Sequence, residues 1–92
     1  RMAKFTMYEM EKYLVEKEGK EMIFPKIEFE LLNLLISKPG KVFKREEILN
    51  NVWGDDVVVG DRTIDVHIRK LREKLGDEYI RTVKGVGYKF EF

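Results

Sequence analysis

Asp61-Arg-Thr-Ile-Asp-Val-His-Ile-Arg-Lys-Leu-Arg-Glu-Lys-Leu75 is the stretch from which the fold can be read. At about 100° per residue, Ile64, Ile68, Leu71 and Leu75 fall within about 60° of one another, which predicts a helix over 61–75 with one buried side. Asp61 is a residue type suited to cap its start, and Gly76 is suited to stop it. The opposite side holds Arg62, Thr63, Val66, Arg69, Lys70 and Glu73, with Val66 almost diametrically opposite the apolar stripe. A valine in a ring of cations is unfavourable in water unless it meets an apolar partner, and a thymine methyl in a DNA major groove is such a partner. Arginine can pair bidentately with guanine, and threonine can bond a base edge or a phosphate. The competing reading is a solvated amphipathic helix with one stray valine.

Outward from this helix, the chain continues on the C-terminal side as Tyr79-Ile-Arg-Thr-Val83, a turn at Lys84-Gly-Val-Gly87 and Tyr88-Lys-Phe-Glu-Phe92. That pattern predicts a β-hairpin with a basic tip, where Lys84 can protrude toward a phosphate or a minor groove. Gly85-Val-Gly87 alone is only a turn, since no helix or third glycine follows to make a dinucleotide site. On the N-terminal side, the loop 54–60 precedes the helix. A shorter helix is predicted over about 44–53, with Ile48, Leu49, Val52 and Trp53 on one side. Val42-Phe43 reads as a short extended piece. Before it, residues 26–37 read as a helix apolar around most of its circumference, entered from Pro25 and stopped by Lys38-Pro-Gly40. Residues 5–24 read as three short strands with Gly19 in the last turn. The charged run Glu16-Lys-Glu-Gly-Lys-Glu21 reads as a solvated hairpin end rather than a binding patch.

The predicted fold is therefore α+β: an N-terminal antiparallel sheet, three helices and a C-terminal β-hairpin wing, a winged helix-turn-helix. Ninety-two residues suffice for one core and one domain over 1–92, with 1–4 reading as a linker remnant or an artificial end. With 43% apolar and 38% charged residues the composition is that of a globular rather than a disordered chain. There is no cysteine, hence no thiolate metal site and no thiol nucleophile. No apolar run approaches the ~20 residues of a membrane span, and no signal peptide is visible, so the expected location is the cytoplasm. The net charge of +1 decides nothing, but its distribution does. Residues 1–40 carry seven basic and seven acidic side chains, whereas 66–89 carry seven basic and three acidic. A local surplus of this kind is the footprint of a polyanion-binding surface.

The long motif 62–75, followed by Thr82-Val-Lys-Gly-Val-Gly-Tyr88, resembles the C-terminal effector domain of OmpR/PhoB-type response regulators. Glu28-Phe-Glu-Leu-Leu32, Lys38-Pro-Gly40, Arg45-Glu-Glu-Ile-Leu49 and Val52-Trp-Gly54 extend the resemblance over nearly the whole chain from Phe5. The resemblance implies sequence-specific binding of double-stranded DNA and control of transcription within a two-component phosphorelay. Helix 61–75 would lie in the major groove and the wing 84–87 at the minor groove. It implies base-edge and groove contacts from Val66, Arg69 and Lys70. It implies phosphate or supporting contacts from Arg62, Thr63, His67, Arg72, Arg45, Trp53 and Thr82, a wing contact from Lys84, and Tyr88 near the DNA backbone. It further implies a receiver domain, absent here, and a sensor kinase in the full-length protein. The isolated domain would be a monomer, pairing in tandem on direct repeats, and the loop 54–60 could touch RNA polymerase. Three features depart from the family pattern. Lys70 and Lys84 stand where arginine is often found, which weakens guanine and narrow-groove reading. Pro25 and Lys44 stand where a Ser/Thr cap is usual, so those helix starts need other partners. The family also opens on a four-stranded sheet, whose first strand would have to fall in 1–4.

Other functions find few parts. His67 is the only histidine and has neither metal partners nor a nucleophile beside it, so neither catalysis nor a cofactor or metal is expected. Trp53 reads as core, with its indole N–H able to reach a phosphate. Asp65, one turn before Arg69, reads as a carboxylate that orients that arginine. A protein-interaction module is the second hypothesis, because winged helices can bind proteins. RNA is disfavoured because an A-form major groove is too narrow for the helix.

Overall fold

The computed structural model describes residues 4–9, 13–54 and 60–92. Strands β1 (Phe5–Glu9), β2 (Tyr13–Lys17) and β3 (Lys20–Ile23) form an antiparallel sheet in the order β1-β2-β3. Three helices follow, α1 (Lys26–Ser37), α2 (Arg45–Ile48) and α3 (Asp61–Leu75). A second sheet, in the order β4-β6-β5, is built from the two-residue strand β4 (Phe43–Lys44) and the hairpin β5 (Ile80–Val83) and β6 (Gly87–Phe90). This is the winged-helix architecture the element order predicts. Residues 1–3, which with Lys4 are where the sequence reading would put an additional first strand, lie outside the described residues, and Lys4 itself is not in a strand.

Local chemistry accounts for the elements. The β2–β3 hairpin turns on two residues, Glu18 and Gly19, with φ of 51° and 84°. Two consecutive positive φ values define the turn that matches the twist of the strands, and it favours Asn-Gly over Glu-Gly. Glu18→Asn is therefore expected to raise stability by about 1 kcal/mol, read as a higher thermal midpoint. Helix α1 is entered from Pro25, which occupies the cap position and whose carbonyl accepts from the Phe29 N–H at 2.9 Å. At α2, Lys44 has no side-chain acceptor to offer. Glu47 instead reaches back to accept from the Lys44 N–H at 3.0 Å and from the Lys41 ammonium at 3.2 Å. These contacts, the backbone N–H first, hold the Glu47 carboxyl below its ordinary range. The predicted helix over 44–53 is not α-helical throughout. Leu49–Trp53 widen into a π-helical turn, closed by the Gly54 N–H on the Leu49 carbonyl at 3.0 Å, with Gly54 at φ 88°. At α3 the cap position falls on Gly60, one residue earlier than the sequence suggests, and Asp61 is the first helical residue.

One core joins the sheets to the helices. Val15, Phe24, Phe29, Leu31, Leu32, Leu35, Phe43, Ile48, Ile80 and Phe90 are buried together with the full α3 stripe of Ile64, Ile68, Leu71 and Leu75. Lys17 links the first sheet to the end of α3: its ammonium donates to the Leu75 carbonyl at 3.0 Å and lies 4.7 Å from the Tyr79 ring centroid. Gly85 has φ +77° in the turn closed by Val86 N–H to Val83 carbonyl at 2.9 Å. Gly87 belongs to β6 rather than to the turn, opposite Lys44 of β4.

Candidate nucleic-acid interface

Helix α3 lies on the core by its apolar stripe, and its two flanks are locked by different seams. On one flank, Asp65 and Arg72 face the second sheet. The Asp65 Oδ1 accepts from Arg45 Nη2 at 2.7 Å and from the Tyr88 hydroxyl. Arg72 donates from Nη2 to the Ile80 carbonyl at 2.8 Å and to the Thr82 Oγ1 at 2.8 Å, with its guanidinium 5.9 Å from the Tyr88 ring centroid. On the other flank, His67 and Lys74 face α1. Glu28, 2% exposed, lies 3.8 Å from His67 Nδ1 and 3.4 Å from Lys74 Nζ. Trp53, partly buried against the core, packs its ring 5.6 Å from that of His67. Residues i and i+7 lie two turns apart on one edge of a helix, which is why each seam holds such a pair.

Between the seams lies an open face. Arg62, Val66, Arg69 and Lys70 are exposed, Val66 at 40%, and Thr63 is half-buried at the edge. Arg62, Asp65, Val66 and Arg69 line an open groove along the helix. Among the described residues, Arg62, Arg69 and Lys70 make no hydrogen bond or ion pair, whereas Lys41, Arg81 and Lys89 are all ion-paired. Cations left bare beside an exposed valine form a surface for an anionic partner with an apolar feature.

The wing stands next to this face. Lys84, Gly85 and Val86 are exposed at its tip, Val86 at 43%. The Arg45 N–H donates to the Val86 carbonyl at 3.3 Å, so the start of α2 is tied to the wing by backbone as well as by side chain. Thr82 is exposed, Arg45 and Arg72 are partly covered, and Tyr88 is 4% exposed. Of the twelve residues singled out from sequence, Arg62, Val66, Arg69, Lys70, Thr82 and Lys84 are thus presented openly. His67, Arg72, Trp53 and Tyr88 are held mainly by protein.

The Tyr88 hydroxyl is pushed above its ordinary pKa by burial first, and then by its bond to the Asp65 carboxylate. Asp65 is held below the usual carboxylate range by that same hydroxyl first, with Arg45 adding to it. Asp65 does not pair with Arg69, as its spacing suggests; it turns to Arg45, 20 residues away, whose Nη2 lies 2.7 Å from the oxygen that also accepts from the Tyr88 hydroxyl. Sequence reasoning also passed over Glu28. Its signal was present, since an acid among Ile27, Phe29, Leu31 and Leu32 on an all-round apolar helix requires a cationic or donor partner. Of the loop 54–60, proposed from sequence as a partner contact, residues 55–59 lie outside the described residues. Among the described residues no group of three or more His, Cys, Asp or Glu side chains is placed to hold a metal, and no helix is long and apolar enough to cross a membrane.

Comparison with known proteins agrees with this fold. The family described as "Transcriptional regulatory protein, C terminal" matches residues 19–90. The phosphate regulon transcriptional regulatory protein PhoB of Rhizobium meliloti is 42% identical over 85 residues, covering 88% of this chain and 37% of that protein. The chain thus spans about a third of the length of the curated relatives it matches. The DNA-binding domain of Bacillus subtilis CssR superposes with a TM-score of 0.82 at 34% identity, covering 95% of this chain and 99% of that one. The Klebsiella pneumoniae RstA DNA-binding domain, solved in complex with the RstA box, superposes with a TM-score of 0.73 at 30% identity, covering 86% of this chain and 83% of the other.

Proposed function

This chain belongs to the family of C-terminal domains of transcriptional regulatory proteins, and from that premise we propose that it is the DNA-binding effector domain of a two-component response regulator. Helix α3 enters the major groove of duplex DNA, and the wing tip reaches the adjacent minor groove. The observation that carries this reading is the exposed Val66 between the bare cations Arg62, Arg69 and Lys70. Arg69 and Lys70 reach base edges, and Val66 meets a thymine methyl. Arg62, Thr63, Arg45 and Thr82 take phosphates, with Lys84 at the wing. Trp53, His67, Arg72 and Tyr88 support that surface from behind, His67 and Arg72 with an exposed edge that can still meet the DNA backbone. The chain has no enzymatic role of its own.

A single winged helix reads few base pairs, so strong specificity takes a second copy. Two copies sit in tandem on direct repeats about 10–10.5 base pairs apart, and the isolated domain is a monomer. In the longer protein a receiver domain, phosphorylated through a sensor kinase in the cytoplasm, raises the effective concentration of the second copy. The loop 54–60 contacts RNA polymerase.

Selection of binding sites from random duplex oligonucleotides tests the reading. On the selected site, Arg69→Ala is expected to cost about 1–3 kcal/mol and to relax the preference at one position. Lys84→Ala is expected to weaken all sequences alike and to lower the salt slope by roughly one unit. Equal losses on selected and random DNA for Arg69→Ala would show that this face does not read bases. Moving one half-site by about five base pairs should abolish cooperative protection if the copies lie on one side of the helix.

A further inference from the structure

One acidic side chain, Asp65, stands at the edge of the cationic face, turned toward the wing. Asp65, 47% exposed, shares the groove with Arg62, Val66 and Arg69, where a polyanion would approach it. A carboxylate there opposes every phosphate that nears the helix, cancelling roughly the gain of one cation. Its partners suggest what offsets that cost. The Oδ1 atom alone accepts from Arg45 Nη2 at the start of α2 and from the Tyr88 hydroxyl on β6. The Arg45 guanidinium lies 5.5 Å from the Tyr88 ring centroid, and Arg72 approaches the same ring at 5.9 Å while bonded to Thr82 of β5. One oxygen thus joins three elements of the DNA-facing surface: the recognition helix, the start of α2 and the wing.

Resting on the DNA-binding reading above, we propose that Asp65 is a positioning residue that sets specificity. It fixes Arg45 and the wing strand relative to α3, so that phosphate contacts form only when the helix is seated in register. Its charge disfavours duplexes that lie on the face without that register. Both consequences act on the ratio of specific to non-specific binding rather than on affinity alone, because non-specific binding is carried by phosphate contacts.

The test compares the 92-residue chain with its Asp65→Asn and Asp65→Glu variants. Each is titrated with the selected duplex and with a random-sequence duplex over a range of salt. Asp65→Asn keeps the shape and an acceptor oxygen but removes the charge. Random DNA is expected to bind about 3- to 10-fold tighter with a salt slope steeper by about one unit, while the selected duplex binds no tighter, so that discrimination falls by about 3- to 10-fold. Asp65→Glu keeps the charge and displaces the oxygen. It should leave random binding near the wild-type value and weaken the selected duplex. Absorbance titration of the tyrosines, with circular dichroism confirming that the fold persists over the same pH range, should show one phenol ionising at lower pH in Asp65→Asn than in wild type. An unchanged discrimination ratio in both variants, with wild type still discriminating, overturns the proposal alone. Equal weakening on both duplexes reduces Asp65 to a structural contact and also overturns it. If the wild-type chain fails to discriminate at all, the underlying reading falls, and the proposal falls with it.

Discussion

Ile68→Asp should leave no cooperative thermal transition near room temperature. Ile68 is 1% exposed at the centre of the α3 stripe, between Ile64 and Leu71, which are fully buried. The substitution removes an aliphatic side chain worth about 1.5–3 kcal/mol of burial. It also places a carboxylate among apolar neighbours, a group that ionises only at a further cost of several kcal/mol. A domain of this size folds with roughly 5–14 kcal/mol in total, so the two losses together consume most or all of it. Circular dichroism against temperature measures the outcome. Ile68→Val, which shortens the chain by one methylene, should cost only about 0.5–1.5 kcal/mol and keep a sharp transition. If Ile68→Asp melted like wild type, the helix would have to sit rotated from the orientation described here.

Gly87→Ala should be the second most damaging single change, for a reason unrelated to backbone freedom. A Cβ on Gly87 would lie 1.9 Å from the Phe43 carbonyl oxygen, 2.8 Å from its carbon and 3.0 Å from the Lys44 Cα. All three are backbone atoms of β4, so no side-chain rotation relieves the clash; β4 must leave β6. Since β4 leads directly into Arg45, the start of α2 moves with it. A loss of about 3 kcal/mol or more follows, a fall in thermal midpoint of roughly 12–24 °C. Gly85, two residues earlier, gives the contrast. It has φ +77° with open space around it, so Gly85→Ala meets only the left-handed backbone penalty of about 1 kcal/mol. Similar midpoints for the two variants would contradict the close β4–β6 approach.

That pair of glycines also shows what the sequence could convey. Gly85 is legible as a turn residue because turn chemistry is local, and Gly87 looks the same from sequence because nothing near it hints at Phe43. The apolar stripe of α3 and the exposure of Val66 were legible because helical periodicity alone sets them. The bounds of α1 were legible because Pro25 and Pro39-Gly40 punctuate it. The partners of the flanking polar residues were not. Spacing paired Asp65 with Arg69, a contact worth a few tenths of a kcal/mol on an exposed helix. Tertiary structure offered Arg45 and the Tyr88 hydroxyl together, and two charge-assisted donors on one oxygen outweigh one solvated neighbour. The same holds for Glu28, whose partners lie on another helix, and for the π-helical turn at Leu49–Trp53, where the i→i−5 bond to Gly54 sets a geometry that apolar periodicity does not distinguish from an ordinary helix.

Anyone trimming this chain toward a minimal DNA reader will be drawn to discard the first two strands, which lie far in sequence from the wing. Lys17 argues against it. Its ammonium closes the Leu75 carbonyl at the C-terminal end of α3, where a cation also meets the negative end of the helix dipole, worth about 0.3–1 kcal/mol. Without it the last turn of α3 frays, and that turn carries Arg72, the residue that grips the Ile80 carbonyl and Thr82 of β5. A cut made at one terminus would therefore be felt as slack in the hairpin at the other, and a shortened reader would lose the stiffness with which the wing is held before it lost its fold.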